Sequence, residues 1–139
     1  MYDSYVQQFT SMLKIFISGP DGALGTFDDR RIYIRLAHQM NGDWYPWSAT
    51  TNGVGIGAGN TVADHVAMWR HVHDIVENIG FKNTDLQWIF CVNATDSANS
   101  HPMEAYYSGD AYVNWVGIDG YNFGGNRRMS PSVRFTRPF

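Results

Sequence analysis

Apolar positions along this chain recur in two rhythms, and the changes of rhythm mark its elements. Tyr5, Phe9 and Leu13 fall on one helical face, with Val6 and Met12 adding width, which predicts an amphipathic helix over residues 3–16. Val62, Val66, Trp69, Val72, His73 and Val76 repeat at the same spacing up to Gly80. With Asn60 or Thr61 as a cap, they predict a second helix. Elsewhere the pattern is extended. Arg31 to His38, RIYIRLAH, is strand-like and β-branched at its start. Leu86 to Val92, LQWIFCV, is an almost wholly apolar strand, and Val113 to Ile118 is another, running into Asp-Gly-Tyr-Asn. A long loop, Asn41 to Asn60, follows the first strand. A short helix or irregular stretch holding Glu104, Tyr106 and Tyr107 separates the last two.

Buried apolar strands joined through helices imply a parallel β/α architecture. No dinucleotide fingerprint follows any strand. Instead each strand ends in polar residues: His38-Gln39, Asn93, and Asp119-Tyr121-Asn122. In a β/α barrel that edge is the active face. A complete eight-fold barrel needs about 250 residues, and this chain has 139. It is therefore expected to be one partial (β/α)8 barrel domain over residues 1–139, with about three β/α units. Strand edges left open at its two sides predict self-association.

The polar strand ends hold the candidate chemistry. Alternation puts Arg35, Ala37 and Gln39 on one side of the first strand and Ile34, Leu36 and His38 on the other. Arg35 then either finds a partner, since an unpaired buried charge is costly, or leaves the strand early for solvent. Trp44, Tyr45 and Trp47 follow at once. Aromatics beside a polar strand end can stack on sugar faces, or they can form a small satellite core. Asn41-Gly42 is a turn signal with either reading. Asn93-Ala94-Thr95 is a formal glycosylation sequon, although at a barrel mouth Asn93 reads better as a polar contributor. Asp119 and Tyr121 share a parity, as a carboxylate and a hydroxyl near one another or as a loop tie and a packing ring.

Composition narrows the classes. Aromatic residues make up 15% of the chain, which excludes a disordered one, and the net charge is −3. The closest thing to a basic patch, Asn126-Arg127-Arg128, reads as solvated loop surface rather than a nucleic-acid site. No apolar run approaches a membrane span, and the start has no signal-peptide pattern. The Gly-rich Ser18 to Thr26 lacks the Lys-Ser/Thr of a phosphate loop. His71 and His73 diverge on their helix, His65 has no second ligand, and His101 is isolated, so neither metal nor cofactor is expected. Cys91, the single cysteine, lies within an apolar strand and reads as inert core.

Three blocks together resemble glycoside hydrolase family 26, the β-mannanase family that also contains mixed-linkage β-glucanases and xylanases. RIYIRLAHQMNGDWYPW, residues 31–47, resembles its fourth barrel strand and following loop. LQWIFCVN, 86–93, resembles the fifth strand, and YYSGDAYVNWVGIDGYN, 106–122, resembles the approach to the sixth and the strand itself. The resemblance implies a retaining mechanism on a (β/α)8 barrel, with β-linked polysaccharide or oligosaccharide as ligand and a secreted parent enzyme. His38 would shape the substrate subsites and Trp44 would be the aromatic platform near the cleavage point. Trp47, Asn93 and Asp119 would join them in binding. Tyr121 would hydrogen-bond the nucleophile. Gln39 stands where the family pattern has the acid/base glutamate.

That substitution changes the expected chemistry. Retaining hydrolysis needs two carboxyl groups about 5 to 5.5 Å apart, and one must cycle between acid and base. A carboxamide does not titrate usefully. The chain has eleven Asp but only Glu77 and Glu104 as glutamates, and neither stands in a nucleophile context; Asp43 and Asp119 are the remaining carboxylates near the strand ends. The expectation is a segment of an endo-acting hydrolase that is itself impaired, with its nucleophile strand outside this sequence. The alternatives are a carbohydrate-binding relic and a truncated, inactive product.

Overall fold

The structure, a computed structural model, describes residues 3–51 and 56–121. Its elements in chain order are α1 (Asp3–Ile17), β1 (Ile32–Ile34), α2 (Val62–Glu77), β2 (Leu86–Asn93), a 3-10 helix (Met103–Tyr106) and β3 (Trp115–Asp119). Asn122 and the Arg127-Arg128 pair lie outside the described residues.

The three strands form one parallel sheet in the order β1-β2-β3. Ile32 pairs with Leu86 and Ile34 with Trp88, while Ile89 pairs with Trp115 and Asn93 with Asp119. All three C-terminal ends therefore point the same way. β2 is central, and its five residues Trp88–Val92 are buried in succession, which explains an unbroken apolar run where a half-solvated strand would alternate.

α2 starts where its sequence says it should. Thr61 Oγ1 accepts from the Asp64 backbone N–H, and the Asp64 carboxylate accepts from the Thr61 backbone N–H, closing a capping box. Its apolar stripe lies on the sheet. Trp69 is fully buried against Trp88 and Phe90, with ring centroids 6.3 and 6.1 Å away. Burying side chains of this size stabilises the fold by roughly 1.5–3 kcal/mol each.

Two expectations are corrected. In α1 the buried line is Thr10, Leu13 and Ile17, whereas Tyr5, Phe9 and Met12, expected on the core face with Leu13, are exposed. The helix is apolar on two sides. One packs on α2, and the other borders an open groove of about 650 Å³ beside β1, lined by Ile32, Ile34, Leu36, Val72 and Trp88 among others. The first strand is also shorter than the run 31–38. It stops at Ile34, and the backbone turns through left-handed conformations at Ala37 (φ 42°) and Gln39 (φ 54°), each costing on the order of 1–3 kcal/mol for a non-glycine residue. Strand geometry therefore ends at Ile34, although Arg35 and Gln39 still reach the same carboxylate, Asp119, while His38 lies in the groove with Ile34 and Leu36.

Candidate functional site

The turn after β1 does not abandon the sheet. The Gln39 backbone N–H donates to the Cys91 carbonyl at 2.8 Å, rejoining β2 above the point where β1 left it. The Gly42 N–H then donates to the Gln39 carbonyl at 3.0 Å, closing a tight turn. Gly42 is required by close approach: a Cβ there would stand 2.5 Å from the Trp44 ring. The indole thus lies flat on the turn and its Nε1 donates to Gln39 Oε1 at 3.2 Å.

Gln39 is buried, and both ends of its amide are engaged. Nε2 donates to Asp119 Oδ2 at 3.0 Å while Oε1 receives the indole N–H. Only one orientation of the amide satisfies this pair, because a carboxylate only accepts and an indole only donates. Asp119 sits at the end of β3, and Arg35 Nη1 donates to both of its oxygens, at 2.8 and 3.0 Å. Arg35 is therefore paired, although its side chain is 44% exposed. A pair this open stabilises the fold by only about 0.2–1 kcal/mol. Its larger effect is to orient the carboxylate.

Gln39, Trp44, Tyr45, Asn93, Ala94, Thr95, Gly120 and Tyr121 line a single cleft of about 430 Å³ over the C-terminal strand ends. The structure thus brings Gln39, Trp44, Asn93 and Tyr121 together, with Asp119 beneath Gln39. Trp44 and Tyr121 are 44% and 59% exposed, so their rings are available from solvent. His38 and Trp47 line the groove beside β1 instead. They belong to an aromatic stack below Trp44: His38 Nε2 meets Tyr45 Oη at 3.3 Å, the Trp47 indole donates to the His38 carbonyl at 2.9 Å, and Tyr45 and Trp47 stack at 4.4 Å.

Electrostatics assign proton states. Burial, and then the Arg35 charge, hold the His38 imidazole below its ordinary pKa against the opposing pull of Asp119. Asp43 is held below the usual carboxylate range by hydrogen bonds from Ser97 and Asn99, so it is ionised and has no proton to give near neutrality. Burial first, and the neighbouring Asp119 next, push the Cys91 thiol up to about 11, which leaves it protonated and unreactive. Glu77 accepts the Trp88 indole N–H at 2.7 Å, away from the cleft. Among the described residues no group of three His, Cys, Asp or Glu side chains could hold a metal ion, and no helix is long and apolar enough to cross a membrane.

Residues 22–132 match the family model of glycosyl hydrolase family 26. The chain belongs to this family. Endoglucanase H of Acetivibrio thermocellus is 38% identical over 96 residues, which is 68% of this chain and 10% of that protein. The catalytic domain of the family 26 endo-β-1,4-mannanase of Bacillus sp. JAMB-750 superposes with a TM-score of 0.60 at 20% identity, over 85% of this chain and 27% of that one. The chain therefore spans a tenth of the curated relative and about a quarter of the solved domain. Its parallel sheet and helices are a segment of the family 26 (β/α)8 barrel, a glycoside hydrolase fold.

One residue of this site was passed over in the sequence. In the sequence Asn41 reads only as half of a turn signal, yet it is fully buried and its side chain bridges to the end of β2. An asparagine two residues beyond the candidate acid/base position, followed by a glycine under an aromatic, is the only local sign of it.

Proposed function

We propose that this chain is the segment around barrel strands four to six of a retaining, endo-acting β-glycoside hydrolase, and that Gln39 removes the proton-transfer step from it. One observation carries the reading. At the acid/base position, a buried carboxamide is locked between Asp119 and the indole of Trp44 at the floor of the cleft. A carboxamide so held preserves the shape of the site but can neither protonate a leaving oxygen nor activate water. In this reading Trp44 supplies a sugar-stacking face, Asn93 and Asp119 supply polar contacts, and Tyr121 holds a nucleophile presented from a neighbouring strand. The relatives are by name an endoglucanase and an endo-β-1,4-mannanase, which supports a polysaccharide ligand, glucan or mannan. Saturable oligosaccharide binding without turnover is the behaviour this site supports.

The test is a two-by-two comparison. One axis is Gln39 against Gln39→Glu. The other is the 139-residue chain against the same residues embedded in a complete family 26 barrel. Reducing ends released from mannan and mixed-linkage glucan are measured. Substantial turnover is expected only for Gln39→Glu in the complete barrel. Strong hydrolysis by the purified Gln39 chain of 139 residues would sink the proposal and direct attention to Asp43 or Asp119.

A further inference from the structure

Beyond the backbone bond from Gln39 to Cys91, the ladder along β2 is continued by a side chain. The Asn93 backbone N–H donates to Asn41 Oδ1 at 2.8 Å, and Asn41 Nδ2 donates to the Asn93 carbonyl at 3.0 Å. A side-chain amide thus occupies the place of a strand's peptide group beside the last residue of β2. The same Nδ2 donates to Asp96 Oδ1 at 2.8 Å, an acceptor it shares with the Met103 backbone N–H at 3.1 Å. The Asn41 carbonyl accepts from the Ser97 N–H at 3.0 Å. A residue with no exposed surface therefore ties the turn under Trp44 both to β2 and to the loop after it.

We infer that Asn41 is a positioning residue: its amide, held by Asp96, sets the height of the Gln39–Gly42 turn and with it the orientation of Trp44 and Gln39 in the cleft. The path is short and rigid. Asn41 fixes the turn, Gly42 carries the face of the indole, and the indole fixes the Gln39 amide. The inference deepens the carbohydrate-site reading and rests on it for the ligand, but the geometry can be tested without any ligand.

The variant is Asn41→Asp. It keeps the acceptor for the Asn93 N–H, loses both donations, and sets a carboxylate against Asp96. Asp96→Asn in that background restores a donor between the two side chains and removes the repulsion. Two measurements are made on the full 139-residue chain. The first is the Trp44 indole N–H resonance, identified by its loss in Trp44→Phe. The second is titration with mannohexaose and cellohexaose. Asn41→Asp is expected to move or broaden the Trp44 resonance and to weaken hexaose binding at least about tenfold, the scale of a lost charge-assisted bond in a buried site. Adding Asp96→Asn should return both signals towards wild type. If Asn41→Asp does not fold, Asp96→Ala on the surface serves instead, with an expected shift of the same resonance and roughly two- to threefold weaker binding. An unmoved Trp44 resonance in a folded Asn41→Asp or Asp96→Ala chain, or no recovery in the double variant, overturns the positioning role. If wild type binds neither hexaose, the carbohydrate reading fails, while the Trp44 resonance still decides the role of Asn41.

Discussion

The Gln39 position has a second property beyond its lack of a proton. Its amide donates to Asp119, so replacing it with glutamate brings two carboxyl groups together, and the new side chain should titrate above the ordinary glutamate value. Arg35 already bridges both Asp119 oxygens. We predict that Gln39→Glu gives a carboxyl whose folded pKa exceeds about 4.3, measured from the pH dependence of its side-chain carbon resonance. In the window between the unfolded and the raised folded value the native state holds more protons. The stability of this variant should therefore fall as pH rises through that window, and a flat stability profile there would remove the Asp119 contact from the account. Gly42 gives a second prediction. A methyl group at this position cannot coexist with the indole where it lies, 2.5 Å away. Gly42→Ala should displace Trp44 and increase its quenching by acrylamide, with the far-ultraviolet circular dichroism unchanged.

Among the elements, α2 carries the most legible energetics. Thr61→Ala removes the acceptor for the Asp64 N–H and should cost about 0.5–2 kcal/mol in urea unfolding, the range measured for helix caps. The helix also brings His65 under the long loop. This imidazole is buried, its Nδ1 meets the Trp47 carbonyl at 3.3 Å, and it sits edge-on to Tyr106. Burial holds it below its ordinary pKa against the pull of that carbonyl, as burial and Arg35 do for His38. A histidine neutral in the fold but free to protonate when unfolded stabilises the protein above about pH 6.5, and its contribution is lost as pH falls below that value. Melting temperatures at descending pH should therefore drop from about pH 6.5 downward. His65→Gln should flatten part of that slope, and an unchanged slope would assign it to other groups.

At the scale of the whole molecule, the sheet is the seat of an unsolved packing problem. β1 and β3 each have a single partner among the described strands. Tyr5, Phe9, Met12 and Phe16 form an exposed apolar line on α1, next to the open groove beside β1. Apolar surface beside a strand edge is a site for association. For the 139-residue chain by itself we propose concentration-dependent self-association, visible as a rising weight-average mass in sedimentation. Tyr33→Lys, on the exposed face of β1, should reduce it by placing a charge at the edge. A compact monomer at every concentration would show instead that the segment closes its own edges and folds as an independent domain over residues 1–139.

Much of this architecture was determined by local pattern. The capped start of α2 and the central strand Leu86–Asn93 follow from periodicities that act within a few residues, and the polar ends of β2 and β3 were visible for the same reason. The tertiary structure decided the rest. Nothing in the letters around Ala37 or Gln39 announces a left-handed backbone, because neither is glycine, so the sequence pattern runs the strand four residues past its end at Ile34. α1 has two apolar sides, and only its contact with α2 chose which one is buried. Arg35 found its carboxylate 84 residues away, and Asn41 its backbone partner 52 residues away. Such partnerships cannot be read from one sequence, since a polar side chain records its need for a partner but not where in the chain that partner lies.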